Sequence, residues 1–334
     1  YPAPDISDLS KRRFFFGHNS YSIVGITHTT ATKSAIDAIL SNYISPVMSW
    51  DALICTSNAV KKSIENIYND YGLYLSDRFD IKKKPDLNLP IIPLGVHTKN
   101  FEFTKEDRIS ARNDLGIDDN DICVLFLGRI SFHAKAHHIP MLLILEEVSK
   151  RISSSKKIHL VQTGWFPNEI YENTFKDECR KIAPSIKLHF LDGKMLENRN
   201  KSFSSSDLFI SLVDNFQETF GLTPLEAMAA GIPAIVSDWN GYKDTVRDDI
   251  DGIRIPTTTL EAGDGFNYSL RHDIGLDTYD HFIGRLSQTV SIDIRNAVER
   301  ITLLINNEEL RKKISNNVKK ELKSSSGIKL LKNT

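Results

Sequence analysis

The stretch Asp207–Asp238, DLFISLVDNFQETFGLTPLEAMAAGIPAIVSD, decides the fold. It opens with a short apolar run of strand formers, Asp207–Val213, and closes with another, Ala234–Ser237. Between them the punctuation predicts a helix. Thr223 is the N-cap candidate, Pro224 suits the first helical position, and Glu226 stands three residues after the cap. Gly231 ends the helix and Pro233 blocks its continuation. A strand–loop–helix–strand unit of this kind builds a parallel sheet.

The loop before that helix is where chemistry is expected. Ligands of open parallel sheets sit beyond the carboxyl ends of the strands. Free N–H groups at a helix start favour anions, and Gly221 lets backbone approach a phosphate closely. A carboxylate such as Glu218 accepts hydrogen bonds from sugar hydroxyls. By spacing alone, Glu226 reads as a capping-box residue and Glu218 as a solvated loop carboxylate. The longer pattern changes that reading. ETFGLTPLEAMAAGIPAIVSD resembles the signature of family 4 glycosyltransferases, retaining enzymes of the GT-B fold, in which two glutamates flank seven residues as Glu218 and Glu226 do.

Composition is compatible with this. A chain of 334 residues suits two domains, and its apolar and charged fractions are those of an ordinary globular protein. The net charge of −1 gives no reason to expect nucleic acid as a partner. The three cysteines are Cys55, Cys123 and Cys179. Cys55 and Cys123 lie in apolar runs and read as buried thiols of a reducing compartment. No stretch approaches the ~20 apolar residues of a membrane span, and no signal-peptide pattern opens the chain. A cytoplasmic protein is expected.

Before residue 101, three extended runs are legible: Tyr21–Thr27, Asp51–Thr56 and Leu89–Val96. Thr30–Tyr43 reads as a helix, and Ser57 caps another that runs to about Asn69. A doubly wound domain usually holds five or six strands, so the first half of an N-terminal domain is expected to be missing. This segment resembles the second half of the family's acceptor-binding domain. GITHTT fits a strand ending in a cleft histidine, which by resemblance gives His28 a place at the reaction centre. Ile91–Phe101, IIPLGVHTKNF, resembles the family's interdomain linker, with Leu94 and His97 departing from its usual polar residue and aspartate. Lys11–Phe16, KRRFFF, reads as a strand or exposed segment, and as a basic and aromatic patch it could touch a membrane surface.

After a charged stretch, Thr104–Asp121, holding a short helix that ends at Gly116, a second domain opens. Ile122–Leu127 is a continuous apolar run typical of a parallel strand. Gly128-Arg129 follow it, and Lys135 comes six residues later. This order resembles the family's clamp on the donor diphosphate. An arginine fork binds phosphate oxygens bidentately and a lysine adds a compact charge. Strands at Lys157–Thr163, Lys187–Leu191 and Ile253–Pro256 join those already named, giving six with five interposed helices. At the turn Asp192-Gly193-Lys194, the resemblance implies backbone contact with the nucleotide base. Thr257–Thr289 reads as an insertion or long loop with a short helix, and Ser291–Asn306 and Glu308–Ser324 as helices. Ser324–Gly327 breaks the pattern, and LKSSSGIKLLKNT is a weak copy of the helix that closes relatives.

The expected fold is therefore α/β, GT-B, with two Rossmann-like doubly wound domains facing a cleft. Residues 1–100 would be an incomplete acceptor-binding domain and 101–334 the nucleotide-sugar donor domain. The resemblance implies a retaining hexosyltransferase of polysaccharide biosynthesis, moving a sugar from a nucleoside-diphosphate sugar to a hydroxyl of a glycan, lipid-linked glycan or small molecule. Glu218 and His28 would be catalytic. Arg129, Lys135, Gly221 and Leu222 would bind the diphosphate, and Glu226, Gly193 and Lys194 the ribose and base. No cofactor or metal is expected, because fixed cations substitute for a divalent ion. The alternatives are a nucleotide-sugar 2-epimerase of the same fold and a non-catalytic glycosyltransferase-like subunit. Peripheral contact at the inner face of a membrane fits a lipid-linked acceptor.

Overall fold

The computed structural model describes residues 1–216 and 218–324. The chain divides into two compact units, one of residues 1–94 with 216–220, the other of residues 95–215 and 221 onward.

The first unit contains α1 (Ser7–Phe14), β1 (Val24–Ile26), α2 (Lys33–Tyr43), β2 (Ala52–Ile54) and α3 (Asn58–Phe79). β1 and β2 pair in parallel, and residues 88–92 run beside β2 through Leu53 N–H to Asn88 O and Ile92 N–H to Cys55 O. The three extended runs are thus adjacent. Thr32 and Ser57 cap α2 and α3, each hydroxyl accepting a first-turn N–H. A core of Ile39, Tyr43, Leu53, Cys55, Val60, Ile64, Tyr68 and Leu75 lies between the helices and the strands.

Two expectations are corrected here. α3 continues ten residues past Asn69, because Tyr68 and Tyr71 pack edge-on to Tyr43, and Gly72 makes room for the Tyr43 ring. KRRFFF is neither a strand nor uniformly exposed. Its first part is the end of α1, and Arg13 turns inward to full burial, forking onto Asp51 at 2.6 and 2.7 Å. Phe14, Phe15 and Phe16 do face solvent.

The second unit begins with α4 (Lys105–Leu115), which Thr104 and Asp107 start as a capping box and Gly116 ends at φ +62°. There follow β3 (Ile122–Arg129), α5 (His138–Ser149), β4 (Ile158–Trp165), α6 (Glu169–Ile182), β5 (Lys187–Asp192) and α7 (Leu196–Ser205). β6 (Leu208–Ser211), α8 (Leu222–Ala229), β7 (Ala234–Ser237), α9 (Tyr242–Thr245) and β8 (Gly252–Ile255) complete the alternation. The six strands are all parallel in the order β5-β4-β3-β6-β7-β8, so the sheet reverses direction of growth between β3 and β6. That is the doubly wound order, with its ligand crevice at the carboxyl ends beside the reversal. β3, β4, β6 and β7 are buried on both faces, which is why β3, β6 and β7 read as apolar runs.

Residues 257–289 hold more structure than expected. β9 (Thr257–Thr258) pairs antiparallel with β10 (Ser291–Ile292), and two helices lie between, α10 (Phe266–Asp273) and α11 (Tyr279–Ser287). Thr278 caps α11, and Asp277 is gripped by both Arg271 and Arg285. α12 (Ile294–Asn306) and α13 (Glu308–Ser324) follow. The expected break after Ser324 and the weak closing segment lie outside the described residues.

Candidate functional site

At the carboxyl ends of β3, β4 and β5 three glycines meet. Gly128 has φ +151°, a region open to glycine. Gly164 is its register partner on β4, and a Cβ there would fall 1.8 Å from Gly128 O. Gly193, after β5, donates to Gly164 O at 2.9 Å, and its own added Cβ would lie 2.9 Å from Gly164 Cα. The missing side chains let these three strand ends pack backbone against backbone; Gly164 is buried, and Gly128 and Gly193 stay half-buried at the edge. Arg129 leaves the corner exposed to solvent, and a Cβ added to Gly128 would lie 3.7 Å from Lys135 Cε.

The loop between Arg129 and α5 is pinned from the end of β6. Asn215 Nδ2 donates to His133 O at 2.8 Å, and Trp239 Nε1 holds Asn215 O at 3.1 Å. Asp214 accepts the His137 N–H at 3.1 Å, and burial pushes this carboxyl up to about 7. Lys135 N–H closes on Ser131 O at 3.0 Å. These restraints fix the loop that follows Arg129 and carries Lys135, and no local sequence pattern announces them.

α8 starts differently from the expectation. Gly221, not Thr223, is the N-cap, in the left-handed region at φ +87°, and no side chain caps the helix. Pro224 falls third in the helix, where its missing N–H costs nothing. Tyr242 explains the shift. Its ring lies against Gly221, where a Cβ would come within 2.1 Å of Cε1, and its hydroxyl bonds Ser211 at 2.8 Å. With Gly221 forced into the turn, Thr223 is carried into the first turn and its hydroxyl is buried, with no partner among the described residues.

Glu226 is accordingly not a capping-box residue. It meets Arg199 of α7 at 3.2 Å, and the two line a cavity of about 240 Å³ with Leu222, Leu196 and the segment from Gly95 to Phe101. Burial raises the Glu226 carboxyl above the usual range, against the pull of Arg199. Arg199 was missed because nothing in its local sequence marks it. At the β5 turn, Gly193 N–H is taken by Gly164 O and Lys194 N–H by Asp192 Oδ1 at 2.9 Å.

In the first unit, His28 is exposed at the end of β1. Its carbonyl accepts from Thr219 Oγ1 at 2.9 Å, and Ser57 Oγ donates to Thr219 O at 2.6 Å. The segment bearing Glu218 is therefore fastened beside His28, so these two candidates share a neighbourhood. Asp-X-Asp spacing occurs twice, at Asp119–Asp121 and Asp249–Asp251. Asp121 serves His159 and Lys157 N–H, Asp251 serves Arg247, and Asp249 pairs with Arg300. Among the described residues no group of three or more potential ligands could hold a metal. The three cysteines are free and buried, and burial lifts Cys55 and Cys123 to about 11 and Cys179 to about 12, too high for reactive thiolates.

Solved structures that superpose on this chain include a glycosyltransferase. HepE of Anabaena, solved with UDP and glucose, superposes with a TM-score of 0.59 at 14% identity, over 94% of this chain and 69% of that one. WaaG, a glycosyltransferase involved in lipopolysaccharide biosynthesis, gives 0.57 at 12% identity, over 95% and 77%. The fold is GT-B.

Residues 107–263, just under half of the chain, match the family model for glycosyl transferases group 1. An uncharacterized glycosyltransferase of Methanocaldococcus jannaschii is 24% identical over 60% of this chain and 46% of its own length. The alpha-monoglucosyldiacylglycerol synthase of Streptococcus pneumoniae is 27% identical over 55% of this chain and 37% of its length. The matched part spans less than half the length of each of these curated relatives. Among the described residues no helix is long and apolar enough to cross a membrane.

Proposed function

We propose that the protein is an enzyme, a retaining glycosyltransferase of family 4 that takes a sugar from a nucleoside-diphosphate donor. The observation that carries this reading is the glycine corner at the ends of β3, β4 and β5, where Gly128 and Gly193 are half-buried and Arg129 and Lys135 stand at the edge. A diphosphate needs close backbone approach and fixed cations, and this corner offers both. The UDP held by HepE supports the donor class.

In this mechanism Arg129, Lys135 and the N–H groups at Gly221 and Leu222 stabilise the charge that grows on the departing phosphate. Glu226 holds the ribose. Since the N–H groups of Gly193 and Lys194 are already engaged, the base would be met by their carbonyls. Glu218 and His28 orient the transferred sugar. The bond from anomeric carbon to phosphate oxygen breaks, the acceptor hydroxyl attacks from the same face, and its proton passes to the departing phosphate. The acceptor is a hydroxyl of a glycan, a lipid-linked glycan or a small molecule, and the exposed Phe14, Phe15 and Phe16 would suit peripheral contact with the inner face of a membrane.

The test is nucleoside-diphosphate release from a panel of donor sugars with candidate acceptors, with EDTA present and absent. Turnover that survives EDTA, with the donor's anomeric configuration kept in the product, is expected. Inverted product, or conversion of the sugar without an acceptor, would refute the proposal.

A further inference from the structure

A second cavity, of about 580 Å³, lies on the outer side of the loop between β3 and α5. This is within the roughly 300–1,000 Å³ of small-molecule sites. One wall is that loop and α6, the other is α11. α11 lies beyond the residues matched by the group 1 family model. It is closely seated. Gly284 brings α11 so near the loop that a Cβ there would sit 3.1 Å from His133 Cβ.

The lining tells what would fit. Phe132 and Tyr171 stack at 4.7 Å between ring centres and form an aromatic surface. Tyr171 OH and Ser131 Oγ both reach His133 Nδ1 at 3.2 Å, which fixes the imidazole. Around them stand Thr278, Asp280, His281 and Gln288, each with hydrogen-bonding groups. Among the described residues no Leu, Ile, Val or Met lines the cavity, so an acyl chain would find no apolar bed there. The charges cancel. Arg285 is held by Asp277 at 3.2 Å, and Asp280 stands 3.7 Å from His133. Burial pushes His133 and His137 down, so both are neutral at pH 7. An anion would therefore gain little here. A neutral polyol with one apolar face gains most: C–H groups on the aromatic surface, hydroxyls on the polar rim.

We infer that this cavity binds a neutral saccharide of one or two rings, as a site separate from the nucleotide corner. Saccharide binding here does not depend on nucleotide binding, and each is read by its own titration.

The experiment uses the full chain and saturation-transfer NMR with glucose, N-acetylglucosamine and maltose at millimolar concentration, with inorganic phosphate as a second probe. Gln288→Trp fills the cavity and Gln288→Asn keeps its polarity. At least one saccharide should bind the wild type, weaken about tenfold or more in Gln288→Trp, and be retained in Gln288→Asn. Asp280→Ala, at an exposed side chain, should also weaken binding and guards against misfolding of the tryptophan variant. Saccharide binding that is unchanged in Gln288→Trp and Asp280→Ala would overturn the inference by placing the sugar elsewhere. So would absence of saccharide binding, with or without phosphate binding that is lost in Arg285→Ala.

Discussion

Replacing Arg13 by Met should cost about 3–5 kcal/mol of stability at neutral pH, the usual penalty for stripping one partner from a buried ion pair. Both side chains are fully buried. Arg13 makes two bonds to Asp51 and two more, to Tyr21 O at 2.9 Å and Pro46 O at 3.2 Å. Without it Asp51 keeps only the N–H groups of Ile23 and Met48, at 2.8 and 2.9 Å, to solvate a buried charge. Burial works against that charge, but Arg13 and those two N–H groups outweigh it and hold Asp51 below the usual carboxylate range. The sign follows. A depressed carboxyl contributes stability above its unfolded value of 3.8 and loses it as the pH falls further. The deficit of Arg13→Met should therefore be full at pH 7.5 and shrink as the pH falls from 3.8 toward 3. The paired change Arg13→Met with Asp51→Leu should recover much of the loss, since no charge is left stranded. Urea denaturation at pH 7.5 and at pH 3 measures all three. A loss under about 1 kcal/mol at pH 7.5, or one that does not shrink on acidification, would refute this account of how α1 is anchored.

Two further outcomes are expected. Burial lowers His133, His137, His138, His159 and His189 below the ordinary 6.5, so each contributes stability that is present above pH 6.5 and lost as the pH falls toward its folded value. The melting temperature should drop between pH 7 and pH 5, and a flat profile would contradict this. Gly221→Ala should destabilise by more than Gly116→Ala, although both positions have positive φ, because only at Gly221 would the new methyl strike a ring, that of Tyr242. Thermal melts should show roughly 1 kcal/mol for Gly116→Ala and a clearly larger loss for Gly221→Ala.

The parts legible in the sequence are those set by local pattern. The six strands of the large sheet were legible from their spacing between helices, β3, β6 and β7 as apolar runs, and Gly116 and Gly231 marked helix ends at φ +62° and +78°. The parts that were not legible depend on partners distant in the chain. Arg13 looks like one more surface cation until Asp51, thirty-eight residues on, is folded beside it. Arg199 and Glu226 meet only when α7 and α8 are side by side. The start of α8 is displaced by a ring from Tyr242, against which no local propensity could weigh. α10 and α11 were read as a loop with one helix because they bury little, α10 having no buried residue and α11 only Ile283 and Ser287.

The central claim, that a nucleoside diphosphate sits on the glycine corner, is tested most directly by thermal unfolding with UDP, GDP, ADP and TDP in turn. A nucleotide at 100 times its dissociation constant adds about 2.7 kcal/mol to stability. A shift with one nucleotide, lost in Arg129→Ala, is the expected result. No shift with any of the four, or a shift that survives Arg129→Ala undiminished, would contradict the account.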